Sequence, residues 1–357
     1  MKYRISDVAS INESSISKST YIGSVNYVDT SSVISGNFNG YRHYPSISEA
    51  PSRARRLVSK EDTVISTVRP NMKHVGFISS KSDCIYSTGF AVVSPKKDKI
   101  DPYYLYLFLS SNRVTEVLQS IGETSTSTYP SVKPSDIGNL VIDMPPLDEQ
   151  HLIANRIRLI DEKKNQNSQI NANLDEIKTA YFDKSFNQQM QSNLNGKLKN
   201  ITKITSGKRP NKKSDTKSSK DKYPIVGASK VMGYTDNYLY NEPILTTGRV
   251  GTHGIIQRFR EPVWVSDNSF VFKTDHEDYL FEILNHWINY SALNRGSTQP
   301  LITQTDLKNI DIYVPTESEL KKFERVSRIL TNLQFSLIKQ NRRLDQIKKT
   351  LLNKLLL

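Results

Sequence analysis

The sequence contains a single cysteine, Cys84, and this scarcity excludes several kinds of site. One cysteine can form neither an intrachain disulfide nor a thiolate metal cluster. The six histidines are scattered, and none stands at the close spacing of a zinc or iron site. A lone cysteine fits a reducing cytosol, so we expect a cytoplasmic protein that binds no metal.

Long apolar runs and nucleotide-binding loops are also missing. No stretch approaches the roughly 20 apolar residues of a membrane span, and the N-terminal MKYRISDVASINESS lacks the apolar core of a signal peptide. Neither a Gly-x-Gly element for S-adenosylmethionine nor the P-loop pattern for ATP occurs. We therefore expect no membrane partner, no cofactor bound by this chain and no catalytic centre.

What the sequence does have is length and positive charge. Its 357 residues suffice for two domains of ordinary size, and its formal net charge is +13. A surplus of this size attracts polyanions and favours nucleic acid as the partner. A basic surface without any such partner is the alternative reading of charge alone.

The chain also repeats itself. At an offset of 170, residues 130–186 match residues 300–356 without a gap and with thirteen identities. Five of these identities precede the predicted helices: Pro130/Pro300, Asp136/Asp306, Asn139/Asn309, Ile142/Ile312 and Pro145/Pro315. Upstream, at an offset of 180, residues 64–69 lie over residues 244–249. The pattern indicates a duplicated unit, each copy being a variable domain followed by a better-matched helix.

Each copy ends in a long helix with an apolar stripe. The stripe of the first helix is expected at Ile153, Ile160, Leu174 and Ile177, and that of the second at Phe323, Leu330, Leu337, Leu344 and Leu351. A seven-residue recurrence predicts a coiled-coil seam, in which Asn167 would disfavour slipped registers. About 40 residues of helix give a rod of roughly 60 Å.

The linker between the two copies, residues 188–196, is short, so the stripes can cover each other only if the helices run antiparallel. The predicted fold is α+β: two α/β domains separated by a pair of long antiparallel coiled-coil helices, with pseudo-twofold symmetry. The expected segments are domain 1 (1–145), a central helix (146–190), domain 2 (191–314) and a C-terminal helix (315–357). The stripes taken alone favour the alternative, an ordinary helical hairpin or dimerisation coil with no connection to DNA.

These repeated helices resemble the spacers of type I restriction-modification specificity subunits. The resemblance rests on PPLDEQHLIANRIRLIDEKKNQNSQINANLDEIKTAYF and on VPTESELKKFERVSRILTNLQFSLIKQNRRLDQIKKTLL. The first domain adds PSRARR (51–56), DTVISTVRP (62–70) and STGFAV (87–92), in the order of one class of target-recognition domain. The second, with GKRPN (207–211) and TTGRVGTHG (246–254), resembles a different class.

The resemblance implies a DNA-recognition subunit without catalysis of its own. Such a subunit binds double-stranded DNA, two modification subunits that methylate adenine, and restriction subunits that translocate and cut DNA. S-adenosylmethionine, ATP and magnesium are then expected on those partners. Each recognition domain would read half of a split, asymmetric sequence, and the helices would set the gap between half-sites about one turn, roughly 34–36 Å, apart.

Ten basic side chains fall in loops or at strand ends, where they could reach a groove or a phosphate. They are Arg53, Arg55, Arg56, Arg69 and Lys73 in domain 1, and Lys208, Arg209, Arg249, His253 and Arg258 in domain 2. Arginine can bind the guanine edge or a phosphate, and a solvated charge is the alternative for each. The pattern of residues 206–222 predicts a mobile basic loop that could wrap a DNA backbone, with an ordinary exposed loop as the alternative. Gly248, Gly251 and Gly254 would let the backbone approach a phosphate closely, and a plain hairpin turn is the alternative.

Two short strings imitate enzyme motifs and are better explained structurally. Asp101-Pro102-Tyr103-Tyr104 lacks the second proline of the methyltransferase motif that holds a flipped base, and it predicts an N-cap and an N1 proline opening an apolar helix. The string at 175–178 resembles half a nuclease motif, but its repeat copy predicts a charged helix face. A DNA-recognition subunit is therefore our first hypothesis, and a basic coiled-coil scaffold that tethers other proteins is the second.

Overall fold

The computed structural model describes residues 1–17, 21, 23–124, 129–295 and 300–355. The strands are β1 Lys2–Arg4, β2 Ala9–Ile11, β3 Val25–Val28, β4 Val33–Ile34, β5 Asn37–Phe38, β6 Arg42–Tyr44, β7 Ala54–Arg56, β8 Thr63–Ser66, β9 Val75–Phe77, β10 Ile85–Ser87, β11 Phe90–Pro95, β12 Val141–Asp143, β13 Gly196–Lys197, β14 Lys203–Ser206, β15 Tyr223–Val226, β16 Val231–Thr235, β17 Ile244–Gly248, β18 Gln257–Phe259, β19 Trp264–Val265, β20 Ser269–Lys273 and β21 Asp311–Ile312. The helices are α1 Ile5–Val8, α2 Pro102–Leu109, α3 Asn112–Glu123, α4 Pro134–Gly138, α5 Leu147–Ser192, α6 Glu277–Glu282, α7 Gln304–Lys308 and α8 Glu317–Leu355. None of these helices is long and apolar enough to cross a membrane.

The long helices α5 and α8 are the predicted spacers, and each contributes to both compact units of the chain. Unit 1 comprises residues 1–165 and 343–357, and unit 2 comprises residues 166–342. Each unit thus contains one strand-rich domain, part of the helix that follows it and part of the other long helix. These units cut across the four predicted segments, whose boundaries stay a prediction.

Unit 1 is built on two four-stranded sheets. One is antiparallel with the order β2-β11-β8-β9, and the other has the order β6-β3-β10-β7, with β3 and β10 parallel. A third pairing, β1 with β12, joins the start of the domain to the strand before α5. Strands β8 and β11 are almost entirely buried, as expected for apolar runs in the middle of a sheet.

Unit 2 repeats this framework with different sequence. Its antiparallel sheet has the order β14-β20-β17-β18, its second sheet contains the parallel pair β15 and β19, and β13 pairs with β21 just before α8. The same three pairings recur in the same chain order. The internal duplication predicted from the sequence is therefore a duplication of the fold.

The antiparallel sheet of unit 1 packs against α2, whose start was predicted from its sequence. Asp101 accepts hydrogen bonds from the amides of Tyr103 and Tyr104, both at 2.8 Å, and Pro102 occupies the first turn. The N-cap reading of this string is confirmed. Every residue from Tyr103 to Leu109 is buried, so α2 forms the centre of the unit 1 core.

Aromatic rings dominate the corresponding core of unit 2. Phe186 of α5 lies with its ring centroid 5.1 Å from that of Tyr279 on α6 and 5.2 Å from that of Phe323 on α8. Tyr181 stacks on Phe323 at 5.3 Å with an interplanar angle of 6°. Edge and offset contacts of this kind stabilise a core beyond the area that they bury. The antiparallel sheet of unit 2 and both long helices therefore share one hydrophobic cluster.

The two long helices run antiparallel within each unit. In unit 1, Lys348 contacts Asp161 at 2.6 Å, and Lys164 contacts Asp345. In unit 2, the side-chain amide of Asn167 donates to the side chains of Gln340, at 2.7 Å, and Asn341, at 2.8 Å. Further along, the Gln334 amide donates to Asp175 at 2.9 Å. Rising numbers on α5 thus meet falling numbers on α8, as predicted.

The position of Ile177 in the seam was predicted wrongly. The structure buries Ile153, Leu174 and Phe323 and half-buries Ile160, Leu330, Leu337, Leu344 and Leu351, but it leaves Ile177 51% exposed. The second row of buried or half-buried residues on α5 lies four residues after positions 153, 160, 167 and 174, at 157, 164, 171 and 178. The prediction had placed this row three residues after them. Three of the four observed residues are polar, so the apolar pattern indicated Ile177 and the wrong side of the helix.

Candidate nucleic-acid interface

In unit 1, a backbone crossing joins the loop after β8 to the segment that leads to α5. The amide of Arg69 donates to the carbonyl of Pro130, and the amide of Val132 donates to the carbonyl of Thr67, both at 2.8 Å. The crossing fixes the backbone of a loop that carries two of the predicted DNA-binding side chains, Arg69 and Lys73. Loops held on a rigid framework in this way are common positions for binding residues.

Unit 2 contains the same crossing, displaced along the chain. The amide of Gly251 donates to the carbonyl of Pro300 at 2.9 Å, and the amide of Ile302 donates to the carbonyl of Arg249 at 3.1 Å. The prolines of the two crossings are counterparts in the repeat, so Gly251, and not Arg249, corresponds to Arg69. The alignment of residues 64–69 over residues 244–249 is therefore wrong by two residues at its arginines.

Arg69 and Lys73 flank a short 3-10 turn and differ in how much their charges are engaged. Both have left-handed backbone conformations, with φ of 52° and 53°. Arg69 is exposed, and its guanidinium lies 3.9 Å from the ring centroid of Tyr129. The ammonium group of Lys73 is half-buried and donates to the side chain of Asn112. Arg69 is thus the more accessible of the two.

The three arginines at residues 53–56 also have different surroundings. Arg53 and Arg55 are exposed, and the Nε of Arg55 donates to the carbonyl of Ser52 at 3.2 Å. Arg56 lies in β7 and is half-buried, and burial lowers the pKa of its guanidinium. Its Nε is enclosed without a hydrogen-bond partner among the described residues. Arg53 and Arg55 are therefore better placed than Arg56 to meet a ligand from solvent.

In unit 2, the loop after β14 projects Lys208 and Arg209 outward because the preceding glycine packs against another strand. A Cβ on Gly207 would lie 2.3 Å from the carbonyl oxygens of Val265 and Ser266. The amide of Lys208 donates to Val265 at 2.9 Å, so the loop begins as an extension of the sheet. Lys208 and Arg209 are both exposed, and neither side chain forms an ion pair with a described residue.

The basic loop at residues 206–222 is exposed and carries its own internal contacts. The ammonium group of Lys212 forms an ion pair with Asp221 at 2.6 Å, and the amide of Ser218 donates to the carbonyl of Asp221 at 3.1 Å. Ser214 pairs with Tyr234 as an isolated bridge. The loop therefore has a defined path, while several of its lysines project into solvent.

Glycines shape the turn that carries Arg249 and His253. Gly251 and Gly254 have φ of 76° and 82°, which favours glycine, and the amide of Gly254 donates to the hydroxyl of Thr247 at 3.1 Å. Arg249 is exposed. The Nδ1 of His253 is enclosed without a hydrogen-bond partner among the described residues, and its ring centroid lies 6.5 Å from that of Tyr290.

Arg258 was predicted to contact DNA, but its charge is engaged within unit 2. Its side chain is 9% exposed, and its Nη1 lies 2.5 Å from a carboxylate oxygen of Asp278. The guanidinium also stacks on the ring of Phe281 at 3.8 Å. Asp278 is itself buried and needs a cation. Arg258 is therefore a structural residue that joins β18 to α6, and this part of the prediction is wrong.

Lys178 likewise does not lie on the solvated helix face that its charge suggested. It is 2% exposed, with its ammonium group 3.0 Å from Asp175 and 5.1 Å from the ring centroid of Phe281. Its counterpart in the repeat, Lys348, contacts Asp161 in unit 1. In the sequence, only the recurrence of lysine at both positions of the repeat indicated that these side chains form buried contacts. Each lysine places a charge where a long helix meets the strand-rich domain of its unit.

The fold and its loops define a class of protein: a duplicated α+β chain in which two unlike domains each present basic loops beside a long helix. A family model described as the type I restriction modification DNA specificity domain matches residues 1–176 and again residues 191–349. The chain belongs to this family, whose members are the DNA specificity subunits of type I restriction-modification systems.

Individual relatives give the same result at lower coverage. The type I restriction enzyme HindI specificity subunit of Haemophilus influenzae is 28% identical over 157 residues, which are 44% of this chain and 34% of that subunit. The match thus spans about a third of the relative's length. A putative type I specificity subunit of Mycoplasma pneumoniae is 23% identical over 282 residues, covering 74% of this chain and 72% of the relative.

A solved structure shows the same fold. The crystal structure of the type I restriction-modification system S subunit from M. genitalium matches with a TM-score of 0.61 and 16% identity. The match covers 100% of this chain and 96% of that one. The two chains therefore share their architecture, although few of their side chains are the same.

Proposed function

We propose that this chain recognises a bipartite, asymmetric DNA sequence, with one half read by the domain of each unit. The observation that carries the proposal is the repeated backbone crossing, which fixes an equivalent loop on two frameworks of different sequence, with an exposed arginine at a different position of each loop. Equivalent frameworks with different loops suit the reading of two different half-sites. The net charge of +13 supports the approach of DNA to both.

In this proposal the chain selects the site and carries out no chemistry. Adenine methylation with S-adenosylmethionine would occur on modification subunits, and translocation and cleavage with ATP and magnesium on restriction subunits. The helices α5 and α8 would fix the number of unread base pairs between the half-sites. Readout of two half-sites held by one scaffold requires a defined spacing, since each turn of DNA rotates the groove.

Repeated apolar residues on the long helices support the docking of two identical partners. Leu159 and its counterpart Ile329 are 65% and 67% exposed, and Ile177 and its counterpart Ile347 are 51% and 50% exposed. Leu159 and Ile347 belong to unit 1, and Ile177 and Ile329 to unit 2. Each unit therefore has at least one exposed apolar side chain from each helix, and these two pairs occupy equivalent positions of the repeat, which suits one modification subunit per unit.

The function is tested by sequencing methylated bases in cells that carry this chain together with its modification gene, or that gene alone. We expect adenine methylation at a single split motif only when both are present. A scaffold without sequence-specific binding predicts the same methylation pattern with and without this chain. That result would overturn the proposal.

The docking positions are tested by Leu159→Asp, Ile329→Asp and the double variant. A charge on an apolar contact is costly to bury, so we expect each single variant to bind one modification subunit and the double variant to bind none. Mass measurement of the purified complex reads the stoichiometry. Gln169→Asp, at an exposed polar position of α5, is the control, and loss of binding in that variant would contradict the assignment.

A further inference from the structure

We propose that Arg69 reads a guanine in the half-site bound by unit 1, and that Tyr129 is the residue that positions it. This inference rests on the proposed function and deepens it, because it assigns a base contact to one side chain. It concerns a single loop, the turn at residues 69–73, and the segment that the backbone crossing holds against it. The argument uses backbone geometry, stacking and the hydrogen-bond donors of the guanidinium group.

The backbone of the turn is held in an uncommon conformation. Arg69 has φ of 52°, a value that is uncommon for residues other than glycine, and it directly precedes Pro70. Its amide donates to the carbonyl of Pro130 at 2.8 Å, and its carbonyl accepts from Met72 at 2.9 Å. The amide of Asn71 donates to Gln119 of α3 at 3.2 Å. Such strain persists where surrounding contacts fix it, and it is concentrated at functional sites.

The side chain of Arg69 is oriented as well as exposed. Its guanidinium carbon lies 3.9 Å from the ring centroid of Tyr129, which is itself 52% exposed. Stacking on an aromatic face fixes the plane of the guanidinium and leaves its N–H edge directed away from the ring. No described residue accepts a hydrogen bond from this guanidinium. The group is therefore preorganised, with its donors available to a ligand.

The other candidates of unit 1 lack this combination. Arg55 donates to the backbone of its own loop, Arg56 is half-buried, and Lys73 donates to Asn112. Arg53 is exposed, and its guanidinium has no cation–π contact with an aromatic ring among the described residues. A phosphate contact does not require a fixed plane, whereas two hydrogen bonds to one base do. The geometry of Arg69 therefore favours a base.

Guanine is the base that matches an oriented guanidinium edge. Its O6 and N7 atoms both accept hydrogen bonds in the major groove, and arginine binds them with two parallel N–H groups. A contact of this kind discriminates against the wrong base by roughly 5- to 150-fold. Lysine supplies a similar charge without the planar fork, so Arg69→Lys separates base readout from general attraction to DNA.

The test uses the complex of the full chain with its modification subunits and the DNA motif that methylation sequencing identifies. Each guanine of the motif is replaced in turn by 7-deazaguanine, which lacks the N7 acceptor, and binding is measured for the original chain and for variants. We expect the original chain to lose affinity most at one guanine. Arg69→Lys should be insensitive to the replacement there and should accept other bases at that position.

The role of Tyr129 is tested in the same assay. Tyr129→Leu removes the aromatic face, so we expect partial loss of discrimination at the same guanine, with the other positions unchanged. Tyr129→Phe retains the face and should retain discrimination. A thermal unfolding curve for each variant shows that it folds. Arg113→Lys, an exposed arginine on α3, is the control and should leave every position unchanged.

Three results would overturn the inference. Arg69→Lys could weaken binding equally on all sequences without changing its salt dependence, since lysine keeps the charge, and this would mark a phosphate contact. It could change nothing, or the motif could contain no guanine that is sensitive to Arg69. In each case the original complex still methylates a split motif, so the proposed function stands. If the original complex shows no sequence preference at all, the proposed function itself fails.

Discussion

Asp161 and Thr331 occupy the same position of the 170-residue repeat, yet they form hydrogen bonds of opposite sense. Asp161 accepts from the hydroxyl of Tyr103 at 2.6 Å, whereas Thr331 donates to the carboxylate of Asp278 at 2.6 Å. Tyr103 and Asp278 are each the second residue of the helix that follows the inner strand of their unit. The same contact between a domain and a long helix therefore occurs in both units, but the donor and the acceptor are exchanged: the long helix supplies the acceptor in unit 1 and the donor in unit 2.

The connection in unit 2 predicts a loss of stability in Thr331→Val. Asp278 is 1% exposed, and among the described residues Arg258 would remain as the one side chain that bonds to its carboxylate, because valine fills the space without donating a hydrogen bond. We expect the free energy of unfolding to fall by about 1–3 kcal/mol, measured by urea denaturation. Thr350→Val, exposed on the same helix, is the matched control. Equal stability of the two variants would show that the bond contributes nothing.

Buried carboxyl groups beside this connection predict a pH dependence. Burial raises the pKa of Glu282 to about 7 despite the opposing charge of Lys178, and burial also raises the pKa of Glu324 to about 7. The hydroxyl of Thr179 donates to Glu282 at 3.2 Å, and His286 lies 3.4 Å from it. Because the folded state holds these protons above the ordinary pKa of 4.5, the free energy of unfolding should fall as pH rises toward 7.

Glu282→Gln tests this dependence, because glutamine resembles the protonated carboxyl and does not titrate. We expect the variant to match the original chain at about pH 5 and to be more stable at about pH 8. Denaturant unfolding at both pH values measures the difference. Glu317→Gln, at an exposed position of α8, should follow the original chain throughout. A difference between Glu282→Gln and the original chain that does not vary with pH would refute the assignment.

Gly207 predicts a selective loss of one half-site. A methyl group there would meet two carbonyl oxygens at 2.3 Å, so Gly207→Ala must displace the loop that carries Lys208 and Arg209. We expect weaker binding to the half-site of unit 2 and stability lowered by about 1–3 kcal/mol. Gly138→Ala is the control, since its added carbon meets the end of the Ile11 side chain at 3.3 Å and the Cβ of Ser6 at 3.7 Å, and no backbone atom of another described segment is as close. Unchanged readout of both half-sites in Gly207→Ala would contradict this role of the loop.

Features set by local sequence could be predicted, and those set by distant partners could not. The cap at Asp101, the helix starts and the duplication each follow from neighbouring residues or from self-similarity. The burial of Arg258 depends on Asp278, twenty residues away on another element, and the burial of Lys178 depends on Phe281. Charge alone does not show such partners, so Arg258 was interpreted as a DNA contact and Lys178 as part of a charged helix face.

The seam of the long helices shows the same limit at shorter range. Ile177 fits a seven-residue apolar pattern, but Lys178 occupies the neighbouring buried position because its charge has partners there. The seam of this chain includes polar residues such as Asn167, whose amide bonds to α8. Apolar periodicity predicted that the helices pair, but it did not predict which flank is buried.

The central claim is that each domain reads its own half of the target, and an exchange of one domain tests it most directly. Residues 191–314 are replaced by the corresponding domain of another specificity subunit, and methylated adenines are sequenced in cells that also carry the modification gene. The account predicts that one half of the methylated motif changes while the other half and the gap stay the same. A change in both halves, or in neither, would contradict it.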